Sequence, residues 1–246
     1  MGIHFAEQMH AKVGAGRCGS GFCFKRGCSI MAEFAEVASI LNEYQKFLAE
    51  LDMWFRSVRV KYGARMRCGE GCTFCCCGLF DIPLPDALRV ATGFYRLSPS
   101  LKNEVAYRAS IIHSDLLREV PELEEPFFLN AISGSRIDLL TDVFSTVRCP
   151  FLGVDNVCLT YEYRPSACVL EGIPMVDFRD GLFDDWCELN FTESIDPALE
   201  EDLRLDYYEI QATMQHVTES LKERIPAFPK KETSVFIPSV VSSFES

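Results

Sequence analysis

Residues 65–84 read "RMRCGEGCTFCCCGLFDIPL" and hold Cys68, Cys72, Cys75, Cys76 and Cys77 within ten positions. Thiols packed this closely serve one of three chemistries: disulfide staples, a redox or nucleophilic thiol, or a metal site. Cys72-x-x-Cys75 has the knuckle spacing of zinc and iron–sulfur sites. Gly69 and Gly71 give the turn before it the backbone freedom to bring sulfurs together and to aim N–H groups at them.

Composition narrows the choice. With 246 residues, 48% of them hydrophobic, the chain can build a core without cross-links. The start, MGIHFAEQMHAKVGAG, lacks the apolar run of a signal peptide. No stretch reaches the about 20 apolar residues that span a bilayer. The expected location is therefore cytoplasmic, with no membrane span. In that reducing compartment clustered cysteines bind metal or do redox chemistry more often than they form staples. A net charge of −12 and a pI near 4.8 lack the basic footprint of a nucleic-acid partner.

Working outward, residues 1–30 are Gly-rich, carry Cys18, Cys23 and Cys28, and lack apolar periodicity. They read as a flexible leader. From Met31 the apolar residues alternate gaps of three and four, through Val37, Leu41, Tyr44, Leu48, Leu51, Phe55 and Val58 to Tyr62. That spacing predicts one stripe of a long helix. Ile40, Phe47 and Trp54 widen the stripe beyond a coiled-coil seam, which favours a globular core, and Gly63 follows as a helix stop.

After the cysteine turn, "DIPLPDALRV" predicts a proline-led helix running to about Leu97, and Ser98-Pro99-Ser100 breaks it. A second helix is expected over 101–118. "CPFLGVDNVCLTYEYRPSAC" predicts a small hairpin around Asp155-Asn156. One amphipathic helix is expected over 197–224, followed by a tail over 226–246. The fold class is mainly α with a small β-hairpin. It is expected to be a single irregular domain, 31–225, organised around a cysteine-ligated metal site.

A second cysteine group, Cys149, Cys158, Cys168 and Cys187, lies far down the chain. The four histidines, His4, His10, His113 and His216, stand near neither group. All-thiolate ligation selects zinc or iron–sulfur chemistry over hard cations. The candidate ligands are Cys68, Cys72, Cys75 and Cys76 with Cys149, Cys158, Cys168 and Cys187. That set is too large for one tetrahedral zinc and suits two sites or one polynuclear cluster, with iron–sulfur slightly favoured. Adjacent Cys75 and Cys76 are expected to point in different directions and so to serve different metals. The plain alternative, that a cysteine is a small buried hydrophobe, suits Cys187 or Cys77 alone. Arg65, Arg67, Arg148 and Arg164 flank the thiols and offset negative charge. Arg164 is expected to bond a loop carbonyl and a thiolate, and Pro165 to turn Cys168 inward at the start of a short helix.

These segments together resemble the YkgJ-type cysteine-cluster family, described as zinc- or iron-chelating. Its members pair a C-x2/3-C-x2-C-C turn with a later C-P-F-L, a C-x-x-Y and an R-P-x-x-C. Here these are Cys68, Cys72, Cys75 and Cys76; Cys149-Pro150-Phe151-Leu152; Cys158-Leu159-Thr160-Tyr161; and Arg164-Pro165-Ser166-Ala167-Cys168. The likeness covers about residues 66–188 and implies metal ions as the partner. The sequence departs from the pattern in its cysteine triplet, which adds Cys77, and in Val169, where an arginine often stands.

Cys68-x3-Cys72-x-Phe74-Cys75 also fits the radical S-adenosylmethionine signature, in which three cysteines bind a cluster. A cluster-dependent oxidoreductase or methyl-transfer enzyme is therefore one alternative. A structural zinc module that presents an interaction surface is another. An enzyme needs an open coordination position and a pocket with titratable groups, whereas a structural site is closed.

Overall fold

The computed structural model describes residues 23–68, 71–123, 127–182, 186–225 and 234–245, with side chains from 36 to 242 within these ranges. Helix α1, Cys23–Tyr62, buries Tyr44, Leu48, Leu51, Phe55 and Val58 along the stripe predicted from their spacing. It begins at Cys23, inside the stretch read as a leader; Cys18 lies outside the described residues. A single turn, Gly63–Arg65, ends it and delivers the chain to the cysteine-rich segment.

Strand β1, Asp81–Pro83, leads directly into α2, Leu84–Arg96. Pro85 sits in the first turn, where its missing N–H costs nothing. Helix α3, Pro99–Glu119, starts under the Ser98 side chain, which accepts the Leu101 N–H. Gly93 of α2 is a packing position. A Cβ there would lie 2.7 Å from Cβ of Tyr163, so the glycine lets the turn 161–163 rest against the helix.

The segment from 127 to 147 holds a turn at Leu129–Ala131 and helix α4, Gly134–Val143. Leu140 and Phe144 there pack with Ile112, Leu116 and Leu79 as a second hydrophobic cluster beside the main core. Beyond it comes a hairpin turn with one antiparallel bridge, Leu152 to Cys158. Its tip is closed by Asn156 at a φ of 63°. Helix α5, Ser166–Leu170, follows.

Two sequence expectations need correction. The single helix over 197–224 is broken in two. Asp196 caps α6, Pro197–Leu203, and Asp206 caps α7, Tyr207–Arg224, by accepting the Glu209 N–H. Between them β4, Arg204–Leu205, pairs parallel with β2, Val176–Asp177, which also pairs antiparallel with β3, Gly181–Leu182. The two aspartates are preferred helix starters, and each opens its own helix.

The tail is likewise built into the fold over its described part. Strand β5, Ser234–Phe236, pairs antiparallel with β1, Ile82 lying opposite Val235. Helix α8, Ile237–Glu245, then packs against α2 and α3. Val235, Phe236 and Val240 are wholly buried. The molecule is mainly helical, and none of its described helices is long and apolar enough to cross a membrane.

Candidate thiol-rich site

The two cysteine groups are joined through their backbones. The Cys149 N–H donates to the Cys76 carbonyl at 2.8 Å, and the Gly78 N–H to the Val147 carbonyl at 2.7 Å. Cys77 and Arg148 form the antiparallel bridge between those bonds. This short ladder sets the turn Phe74–Cys76 beside the segment that carries Cys149. The hairpin then returns Cys158 to the same side, the Leu159 N–H donating to the Phe151 carbonyl at 2.9 Å.

Cys168 arrives on α5, whose start is clasped by Asp86 from the first turn of α2. The Ser166 N–H lies 3.0 Å from both Asp86 carboxylate oxygens, and the Ser166 hydroxyl donates at 2.6 Å. Tyr44 of α1 donates a third group, at 2.6 Å. The "PLPD" and "RPSAC" segments are therefore held together by a wholly buried carboxylate.

One cavity lies at this junction. Cys68, Cys72, Cys75, Cys76, Cys149, Cys158 and Cys168 all line it, with Phe55 of α1, Val90 of α2, Ile237 of α8, Arg164 and Glu171. Cys187 stands one step back, against Cys68. A Cβ on Gly172 would lie 2.9 Å from Cys68 Sγ and 3.3 Å from Cys187 Cβ, so one glycine touches both. Cys77 is taken up in the bridge to Arg148. The nine cysteines from Cys68 onward are unbridged. Among the described residues, no three Cys, His, Asp or Glu side chains stand in an arrangement that would hold a metal ion.

Five of the thiols sit in surroundings that resist charge. Burial pushes the Cys68 thiol up to about 11 and Cys149 up to about 12. It raises Cys168 and Cys187 as well. Cys75 is raised first by its hydrogen bond with Cys76 and then by burial. Without added positive charge these groups keep their protons at neutral pH. All-sulfur donors are of the type that zinc and iron take, but a metal would have to displace these protons and draw the sulfurs closer than they stand.

The arginines differ from the sequence expectation. Arg164 stands on the cavity wall, but its Nη2 donates to Asp52 Oδ1 at 2.8 Å rather than to a loop carbonyl or a sulfur. Its guanidinium lies over the Tyr161 ring, 4.3 Å from the centroid. The loop carbonyls are held by Arg89, which donates from Nε to the Arg164 carbonyl at 3.1 Å and from Nη2 to that of Glu162. Arg148 bonds Asn156 and Arg65 bonds the Ser194 carbonyl. The cation that draws the Cys149 thiol downward is Arg108 of α3, whose Nη1 donates to the Leu152 carbonyl at 2.6 Å. Neither Arg89 nor Arg108 lies near a cysteine in sequence.

Asn190 was also missed. It donates from Nδ2 to Cys68 Sγ at 2.8 Å. Nothing in the spacing Cys187-x-x-Asn190 marks it out. No family model matches the chain, and no curated protein or solved structure matches it either.

Proposed function

We propose that the chain is a cytoplasmic metal-binding protein that holds zinc or an iron–sulfur cluster through two converging groups of thiolates. The observation that carries this reading is the single cavity wall made by seven cysteines from three separate parts of the chain. Small buried hydrophobes have no reason to gather round one opening, and the absence of bridges among them leaves every sulfur free to ligate. The resemblance to the YkgJ-type motifs points the same way.

On this reading Cys68, Cys72, Cys75 and Cys76 form one half of the site, and Cys149, Cys158, Cys168 and Cys187 the other. Binding requires the thiols to lose their protons and the sulfurs to draw in from their positions round the cavity. A bound zinc ion would cross-link the segments, and an iron–sulfur cluster would add electron transfer. Arg164 and Arg108 supply fixed positive charge at the wall and behind Cys149, which offsets the excess charge of clustered thiolates. The radical S-adenosylmethionine alternative has less support. The cysteine turn is followed by β1, α2 and α3, and the described strands, two or three residues each, form two small sheets rather than a series of parallel strand–helix units.

The deciding measurement is metal content and absorption of anaerobically purified protein. Stoichiometric iron with broad visible absorbance identifies a cluster, and a colourless protein with stoichiometric zinc identifies a zinc site. Protein that carries neither and takes up neither overturns the reading.

A further inference from the structure

We propose that Asn190 is a positioning residue for Cys68, fixing its sulfur as a ligand and tying Cys187 beside it; the inference rests on the metal-binding reading above. Asn190 is wholly buried, and its amide makes every hydrogen bond it can. Oδ1 accepts the Arg67 N–H at 2.6 Å and the Cys68 N–H at 3.3 Å. Nδ2 donates to the Gly172 carbonyl at 2.5 Å and to Cys68 Sγ at 2.8 Å. This orientation is forced. Turning the amide over would set its NH2 against two N–H donors and its oxygen against a carbonyl.

An amide N–H is therefore aimed at one sulfur of the site by a residue held rigidly from three sides. The space for it is made by Gly172, at a φ of 87°. A Cβ there would lie 2.9 Å from the sulfur and 3.2 Å from Nδ2. The backbone of the same asparagine closes the turn at the last cysteine, its N–H donating to the Cys187 carbonyl at 2.9 Å. Donation to sulfur stabilises the charged ligand form and fixes its direction, as the groups behind metal-bound histidines and carboxylates do.

The test measures Zn2+ affinity of the full chain against a chromophoric chelator for wild type, Asn190→Ala, Cys68→Ala and the double variant. Asn190→Ala is expected to weaken affinity about ten- to a hundred-fold. In the Cys68→Ala background it should add no further loss, because the donor then has no sulfur to act on. Equal losses in both backgrounds, or none in either, overturn the inference and leave Asn190 as a backbone clasp. Asn190→Ser leaves a hydroxyl able to accept a backbone N–H in place of the amide donor, without adding charge. It gives the same comparison should the alanine variant not fold. Wild-type protein that binds no metal overturns instead the reading on which the inference stands.

Discussion

The carboxylate of Asp86 receives both the N–H and the hydroxyl of Ser166, two positions before Cys168. A side chain in the first turn of α2 thus sets the start of the helix that carries a site cysteine. The geometry suits a carboxylate, whose two oxygens accept the Ser166 N–H and both hydroxyls, whereas an amide offers those three groups a single oxygen. Asp86→Asn turns an NH2 toward those donors. It is expected to lower the unfolding free energy of the metal-free protein by about 2–3 kcal/mol, read by urea denaturation. Burial raises the Asp86 pKa, and its bonds with Ser166 and Tyr44 oppose the rise. With the folded value above the unfolded one, the residue's contribution is fully present below the ordinary carboxylate range and falls as pH climbs through the folded value. The stability gap between wild type and Asp86→Asn should accordingly narrow across that rise. A gap that widens instead would reverse the sign assigned to Asp86.

Metal and fold are expected to be linked. The cavity wall draws on α5, the hairpin and the cysteine turn, so an ion held there joins segments that the unfolded chain keeps apart. A ligand at a thousand times its dissociation constant adds about 4 kcal/mol, which for a chain of this size amounts to about 8–16 °C in Tm. Chelation should lower Tm by that order in calorimetry. An unchanged Tm would place the metal outside the cooperative unit.

Much of the fold was legible because it rests on local pattern. The three-four spacing from Tyr44 to Val58 marks a buried helix face, and Pro83 and Pro85 mark the start of α2, while Pro99, expected as a break, is the first residue of α3. The first cysteine group stood out by its spacing; the second, loosely spaced, stood out through its resemblance to the family motifs, and of its four members Cys187 lies off the cavity wall. The partners that organise them were not legible. Arg89, Arg108 and Asn190 reach carbonyls or a sulfur far away in the chain, and only tertiary packing decides which arginine meets which group. Arg164 shows the converse: it was read from its place beside Cys168, whereas its bond goes to Asp52 of α1. The split between α6 and α7 had a local signal in Asp196 and Asp206, which the continuous apolar pattern across them concealed.

Arg164 is 13% exposed and Asp52 29%, and Asp52 also accepts Arg56 Nε at 2.7 Å. Removing the arginine leaves the carboxylate a second, more exposed partner, so the loss should be moderate. Arg164→Leu is expected to cost about 1–2 kcal/mol in the metal-free protein. If Arg164 also offsets thiolate charge across the cavity, metal retention against a chelator should fall about tenfold. Asp52→Asn should reproduce the first effect and not the second. Loss of stability with unchanged retention would confine Arg164 to holding α1 against the turn 161–163.

The C-terminal segment gives the sharpest contrast between pattern and packing. "SVFIPSVVSS" looks like a serine-rich tail, yet Phe236 is wholly buried and packs in the cluster with Leu116 and Leu140. Its neighbour Ile237 donates its N–H to the Phe80 carbonyl at 3.1 Å and reaches the cavity wall. Phe236→Ala leaves a large void in that cluster and is expected to destabilise by about 3–5 kcal/mol, a substantial part of the roughly 5–15 kcal/mol typical of a whole domain. Urea denaturation of the variant measures this directly. Because β5 and α8 close over β1, α2 and α3, truncation before Ser234 should go further and abolish the cooperative transition. A truncated chain that melts like wild type would mean that the strand and helix are dispensable, and that the core is complete without them.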